Sequence, residues 1–322
     1  METVFVSGPT GCIGSATVSY LLDHGVDRVV GFCRRRDMSR IDERYHDRIE
    51  LIEGDITSRD DVVAAVGRAS PSSVIHLAAF QTPDCQSNPL LGLDVNVAGT
   101  INIFRAAQAA GGQLQRVVFA SSAAVYGPRS LYSGATVDSA DPYLPPNLYG
   151  YWKVAGEGMG QAFHRETGVS TVSLRLATTY GPGRDRGLTS APTTALKAAA
   201  LGAPFQMPYQ GREHYHFVED VGAGFAQAAI EPFAGYGAFN LRGRTVQVAD
   251  FVALIREHLP EANIGIADDA DTMPFVCDLG DTETVAAFPQ MPRTDLPTGV
   301  AKSLQRFQEM RDRGELTTND LD

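Results

Sequence analysis

The chain has 322 residues, 43% of them hydrophobic and 20% charged, a globular composition long enough to bury a large core without disulfide or metal staples. Twenty-seven basic against 38 acidic residues leave a net charge of −11, which excludes the overall cationic footprint of a nucleic-acid binder and would be repelled by anionic lipid. No apolar run approaches the roughly 18 residues that span a bilayer, no charged leader precedes the first strand, and Cys12, Cys33, Cys85 and Cys277 form no CxxC pair, so a reduced, cytoplasmic protein is expected.

In chain order, continuous apolar runs mark strands at 3–7, 28–33, 49–53, 73–77, 116–121 and 170–175. Helical periodicity falls between them at 14–24, 60–67, 96–110 and 149–167. Strands without polar alternation belong to a sheet covered on both faces, and the alternation with helices specifies a doubly wound parallel sheet. After Leu176 the rhythm breaks into Gly/Pro-rich loops, with helices expected at 190–200, 221–230, 248–258 and 298–311. No sheet is legible in this second region. Its acidic run, Asp268-Asp269-Asp271, reads as a solvated loop, and the tail from Gly314 as frayed.

The first strand runs into Gly8-Pro9-Thr10-Gly11-Cys12-Ile13-Gly14 and then a helix. Glycines there allow a tight turn and close backbone approach to a pyrophosphate, and the helix N-terminus supplies free N–H groups. Strand, glycine turn and helix in that order identify a dinucleotide cradle formed by Gly8, Gly11, Cys12, Ile13 and Gly14. The expected architecture is therefore α/β: a Rossmann domain from 1–176 and 213–245, and a smaller, mixed C-terminal substrate lobe from 177–212 and 246–322. The second strand ends in Arg34-Arg35-Arg36 where an acid would hold the ribose hydroxyls of NAD. Guanidinium forks at Arg34 and Arg35 suit a 2′-phosphate, so NADP is expected in preference to NAD.

Tyr149 and Lys153 are four apart on a helix and share a face. Lys153 is one of three lysines in the chain, with Lys197 and Lys302. A nearby ammonium would lower the tyrosine pKa and let its phenolate take a proton from a substrate alcohol. Ser122, at the carboxyl end of the 116–121 strand, could orient the same oxygen. His214 and His216 would share a face of a strand, with no third ligand to nominate, so no metal is expected. Arg184 and Arg186 could anchor a substrate carboxylate or phosphate, and Phe80 and Gln81 border the cradle.

Taken together, the GxxGxxG loop, Gly54-Asp55-Ile56, His76-Leu77-Ala78-Ala79, Asn96-Val97-Ala98-Gly99-Thr100, the Ser121–Gly127 run SSAAVYG, YxxxK, Tyr180-Gly181-Pro182-Gly183 and Val218-Glu219-Asp220-Val221 resemble an extended short-chain dehydrogenase/reductase of the NAD(P)-dependent sugar epimerase/dehydratase family. The resemblance spans nearly the whole chain and is strongest over 1–185. It implies that Asp55 and Ile56 flank the adenine, that Leu77, Ala78 and Ala79 line the cofactor trough with help from Asn96, and that Ser122, Tyr149 and Lys153 form the catalytic set. It also implies a homodimer through the helices at 96–110 and 149–167.

The departures narrow the reaction. Ala123 and Ala124 stand where family dehydratases carry acids, which argues against elimination. Thr178 and Thr179 replace the Asn expected before the YGP loop, Gly211-Arg212-Glu213-His214-Tyr215 matches an R-D-[FYW] segment imperfectly, and 268–281 is acidic where an arginine would clamp a diphosphate. The substrate expected is thus a small sugar, sugar acid or polyol without its nucleotide, held by Phe80, Gln81, Ser122, Thr178, Thr179, Arg184, Arg186 and His214. The reaction expected is hydride transfer at a hydroxyl or keto carbon. A 4-epimerase acting by transient oxidation, or a catalytically silent NADPH-sensing scaffold, are the alternatives.

Overall fold

A computed structural model describes residues 2–187, 189–273 and 276–321. In its first half, β1 (Thr3–Ser7), α1 (Cys12–Asp23), β2 (Arg28–Cys33), β3 (Ile49–Glu53), α2 (Arg59–Ala69) and β4 (Ser73–His76) follow one another. Two short helices, α3 (Thr82–Ser87) and α4 (Pro89–Leu93), and a π turn at Asp94–Ala98 lead into α5 (Gly99–Ala109). Then come β5 (Arg116–Ser122), α6 (Leu148–Thr167) and β6 (Ser170–Leu176). The helix expected from residue 96 thus begins as a π turn, which turns the buried Asn96 toward the loop after β4.

The second half holds β7 (Thr178–Tyr180), α7 (Ala191–Leu201), β8 (Phe205–Gln210), β9 (Arg212–Phe217), α8 (Val218–Ile230), β10 (Tyr236–Asn240), β11 (Arg244–Gln247), α9 (Val248–His258), β12 (Ile264–Thr272), α10 (Thr282–Ala287) and α11 (Leu296–Asp312). Seven strands form one parallel sheet in the order β10-β6-β5-β4-β1-β2-β3. Its apolar residues divide between the faces, as the continuous runs require. Val4, Val6, Val29 and Val118 pack with α1 and α8, while Phe5, Val30, Val74 and Val117 pack with α2 and α5. Side-chain caps fix helix starts: Ser58 accepts from Asp61 N before α2, and Asn147 accepts from Gly150 N before α6. Strand order reverses at β1 and β4, which opens a crevice at their carboxyl ends.

Three expectations for the second region are corrected. It contains sheets of its own, β11-β9-β7 and β12-β8, whose partners are far apart in sequence and so leave no local hairpin pattern. The acidic run is not a loop: Asp268, Asp269 and Asp271 lie in β12, exposed around the buried Ala270 at an irregularity in the pairing with β8. The tail is not frayed, because Leu316 is buried and a 3₁₀ turn at Thr318–Leu321 is held by Thr317 N–H donating to Asp320. Within 213–245, β9 and β11 belong to the three-stranded sheet, whereas α8 packs on α1 and β10 completes the large one.

Candidate active site

The glycine turn sits at the carboxyl end of β1. Gly8 has φ +76°, a conformation open to glycine, and its N–H donates to Phe32 O at 2.9 Å. A Cβ on Gly14 would overlap the Gly8 carbonyl oxygen. α1 starts at Cys12, two residues earlier than expected, with Gly11 at the cap and no side chain satisfying its first N–H groups. Backbone donors at a positive helix end, with no side chain in the way, fit the pyrophosphate of a dinucleotide.

A buried relay shapes the trough beside it. Ser7 Oγ lies 2.7 Å from His76 Nδ1 and accepts the N–H groups of Leu77 and Ala78. His76 Nε2 lies 3.0 Å from Thr100 Oγ1, which donates to Asn96 O. Since the Thr100 proton is engaged, His76 donates from Nε2 and accepts from Ser7 at Nδ1. Burial and the nearby Lys153 push the His76 pKa down to about 3, so the ring stays neutral. Asn96 ends the relay, its Oδ1 accepting from Phe80 N at 2.7 Å and its Nδ2 donating to Phe80 O. Asn96 therefore holds the trough from behind, while Leu77, Ala79, Phe80 and Gln81 line it.

At the adenine end, Ile56 is buried under Gly99, and the exposed Asp55 accepts from Thr57 N and Oγ1. Arg34, Arg35 and Arg36 are exposed at the end of β2 and make no ion pair among the described residues. The Arg34 guanidinium lies 5.7 Å from the Phe80 ring centroid, turned toward the trough.

Ser122, Tyr149 and Lys153 converge in one cleft of about 270 Å³ with Gly8, Gly11, Cys12, Ile13 and Gly14. Ser122 Oγ accepts from Ala124 N at 3.1 Å, which fixes it at the end of β5. Lys153 is buried, donates to Ala120 O at 2.6 Å and lies 5.5 Å from the Tyr149 ring centroid. Burial pulls the Lys153 pKa down to about 8. The tyrosine departs from the simple expectation of a lowered pKa. In the protein alone, burial raises it, and Ser122 and Arg184 oppose that rise.

Beneath the cleft, the buried Arg175 donates to Glu157 through Nε at 2.9 Å and Nη2 at 2.8 Å. Ser121, Tyr143 and Tyr126 complete the network, with Ser121 and Tyr143 donating to the Glu157 carboxylate. It ties β5, β6 and α6 together directly under Ser122 and Tyr149. The glutamate and arginine are 18 residues apart, with nothing local to mark them as partners.

The opposite wall comes from the lobe: Thr178, Thr179, Arg184, Thr189, Glu213 and Val276. Arg184 Nη2 donates to Thr189 Oγ1 at 3.0 Å, and its Nε has no partner among the described residues. Arg186 is exposed and does not line the cleft. His214 is also outside it, buried on β9 with Nδ1 2.9 Å from Thr245 Oγ1 and its ring 5.0 Å from that of His216. Three residues of this wall were missed, Thr189, Val276 and the neighbour of His214, Glu213, which is buried, with Thr178 Oγ1 donating to its Oε2. Burial pushes the Glu213 pKa up to about 7. The available signal was the alternation along β9, which sends 213 and 214 to opposite faces once the strand is recognised. Among the described residues no helix is long and apolar enough to cross a membrane, and no cluster of three His, Cys, Asp or Glu could hold a metal.

A glycine cradle at the switch point of a parallel sheet, with Ser, Tyr and Lys at its open end, defines a dinucleotide-dependent class of enzyme. Residues 4–241 match the NAD dependent epimerase/dehydratase family, and the chain belongs to that family of enzymes. It is 29% identical to UDP-glucose 4-epimerase of Mycolicibacterium smegmatis over 322 residues, covering 94% of this chain and 97% of that protein. It is likewise 29% identical to the L-arabinose 1-dehydrogenase (NAD(P)(+)) of Haloferax volcanii over 187 residues, 55% of this chain and 66% of the other. The crystal structure of UDP-glucose 4-epimerase with UDP-glucose from Thermotoga maritima superposes with a TM-score of 0.84 at 20% identity, covering 96% of this chain and all of that one, a likeness of fold.

Proposed function

We propose that the protein is an NADP-preferring oxidoreductase that transfers hydride between nicotinamide and a hydroxyl or keto carbon of a small, nucleotide-free sugar, sugar acid or polyol. The observation that carries this reading is the cleft itself. Ser122, Tyr149 and Lys153 face the glycine turn, while the wall opposite offers one guanidinium and one carboxylate where a sugar diphosphate would need cations. Similarity to the L-arabinose 1-dehydrogenase supports net oxidation in this reading.

In this reading Gly8, Gly11, Cys12, Ile13 and Gly14 hold the pyrophosphate, Asp55 and Ile56 the adenine, and Arg34 and Arg35 a 2′-phosphate. The bound nicotinamide supplies the two-electron acceptor or donor. Ser122 holds the substrate oxygen by hydrogen bonding, and Tyr149 accepts its proton when the carbon is oxidised or returns it when the carbonyl is reduced. Lys153, fixed by Ala120 O, places a cation beside the phenolate that forms. Residues 1–176 and 213–245 serve the cofactor, and 177–212 and 246–322 the substrate. A homodimer through α5 and α6 is part of the proposal. Ile101, Leu148 and Tyr151 are exposed on those helices, and a hollow between them is lined by Phe104, Met159 and Phe163. Molar mass from light scattering in solution should give twice the chain mass.

The testing experiment supplies free sugars, sugar acids and UDP-sugars with each cofactor and follows the reduced-nicotinamide absorbance. A steady change with free sugars is expected. Interconversion of UDP-glucose and UDP-galactose with no net absorbance change would replace this reading with the epimerase one.

A further inference from the structure

Glu213 is the only acidic residue lining the cleft among the described residues, and neither the glycine turn nor the Ser122–Tyr149–Lys153 set uses it. It stands on β9 beside Thr178 and Thr179 of the parallel-paired β7. Its residue exposure is 2%, so it is not a solvated charge at the rim. Thr178 Oγ1 donates to Oε2, Oε1 has no hydrogen bond among the described residues, and the residue lines the cleft. The basic residues of the cleft do not neutralise this carboxyl: Lys153 donates to Ala120 O, and Arg184 makes no ion pair with it.

We propose that Glu213 is the specificity-determining residue of the lobe wall, accepting hydroxyl groups of an uncharged polyhydroxy substrate and excluding diphosphates and other anions from that wall. This deepens the proposed function and rests on its assignment of the cleft to substrate. A carboxyl with one oxygen held and the other open accepts an O–H in its ionised form and can also donate when protonated, so it suits a hydroxyl in either state. Burial pushes its pKa up to about 7, so near neutral pH a large fraction remains ionised, and an anion placed against it must either meet that charge or force the carboxyl to take up a proton. Specificity here comes as much from what is repelled as from what is bound.

The test separates Glu213 from the reaction assignment by using binding as well as turnover. Calorimetry of the NADP⁺-saturated protein with UDP as the probe should detect no binding by the wild type up to a concentration on the order of 1 mM. Glu213→Gln should bind UDP at least about tenfold more tightly, and Glu213→Asp, which keeps the charge, should still exclude it. With whichever free sugar is turned over, Glu213→Gln should raise KM roughly tenfold and leave kcat within about threefold, a split expected of a binding group. Equal UDP binding by wild type and Glu213→Gln, or an unchanged KM, would overturn the proposal. Thermal melting of each variant shows whether it is folded, and Thr178→Val, which removes the hydroxyl that holds Oε2 and is expected to raise KM in the same direction without replacing the carboxyl, covers the case of a Glu213 variant that does not fold. Absence of redox turnover with every sugar, alongside the predicted UDP pattern, would sink the oxidoreductase reading and leave the Glu213 assignment standing.

Discussion

The two walls of the cleft are built on different principles. The sheet side is local: β1, the glycine turn and α1 are contiguous, β5 delivers Ser122 at its end, and one turn of α6 carries both Tyr149 and Lys153. The lobe side is assembled from pieces remote in sequence, Thr178 on β7, Arg184 on the loop after it, Glu213 on β9 and Val276 beyond β12. In the proposed function the first wall fixes what chemistry can occur, and the second decides on which molecule.

The sharpest way to break the first wall is Tyr149→Phe. It keeps the ring and removes the proton acceptor, and should lower kcat by about 10²–10⁴-fold with little change in cofactor affinity. A loss of cofactor binding instead would make Tyr149 a cradle residue. Removing the support beneath that wall is the next largest effect. Glu157 and Arg175 are each 1% exposed, so Glu157→Gln strands a buried guanidinium and should lower the unfolding free energy by about 3–5 kcal/mol in denaturant titration. A change below about 1 kcal/mol would mean the pair is not the tie between β5, β6 and α6.

The second wall has a pH signature. The folded-state pKa of Glu213, about 7, lies above its ordinary value of 4.5, so its contribution to stability is full below about 4.5 and lost as pH rises through 7. Relative to wild type, Glu213→Gln should gain up to about 3 kcal/mol across that window. Around it, burial holds Tyr209, Tyr215 and Cys277 up and His214 and His216 down, so none of these produces the same slope; Arg184 and Arg212 are the cations nearby. Parallel stability curves for the two proteins between pH 5 and 8 would contradict it. The smallest effect belongs to the cofactor's far end. Arg34→Ala with Arg35→Ala should weaken NADP⁺ binding by roughly tenfold or more and NAD⁺ by about twofold or less, since only a 2′-phosphate needs the exposed guanidinium groups. Equal weakening of both would remove the basis for a preference.

The contrast between the walls also explains what could be read from sequence. Six of the seven strands of the parallel sheet were legible to within a residue because each is an apolar run, whereas β10, which joins β6 from about 60 residues further on, was not. That Ser122, Tyr149, Lys153 and the glycine turn meet in one cleft was legible from the local motifs that carry them. The lobe was not, because β7, β9 and β11 pair across 29 or more residues and β8 pairs with β12 across a bulge. Misreading β9 left Glu213 unnoticed and put His214 forward, although alternation along the strand carries the two side chains to opposite sides. Asn96 shows a subtler limit. Its place in the sequence pointed to the cofactor, but its amide holds the Phe80 backbone, and an indirect role of that kind is settled by hydrogen-bond partners rather than by motif.

The most direct test of the two-wall account is a crystal structure of the protein with NADP⁺ and a free sugar that it oxidises. The account predicts the reacting hydroxyl within hydrogen-bond reach of both Tyr149 and Ser122, and another hydroxyl of the same molecule on the free oxygen of Glu213. A sugar seated away from Tyr149, or a diphosphate lodged against Thr178 and Glu213, would contradict it.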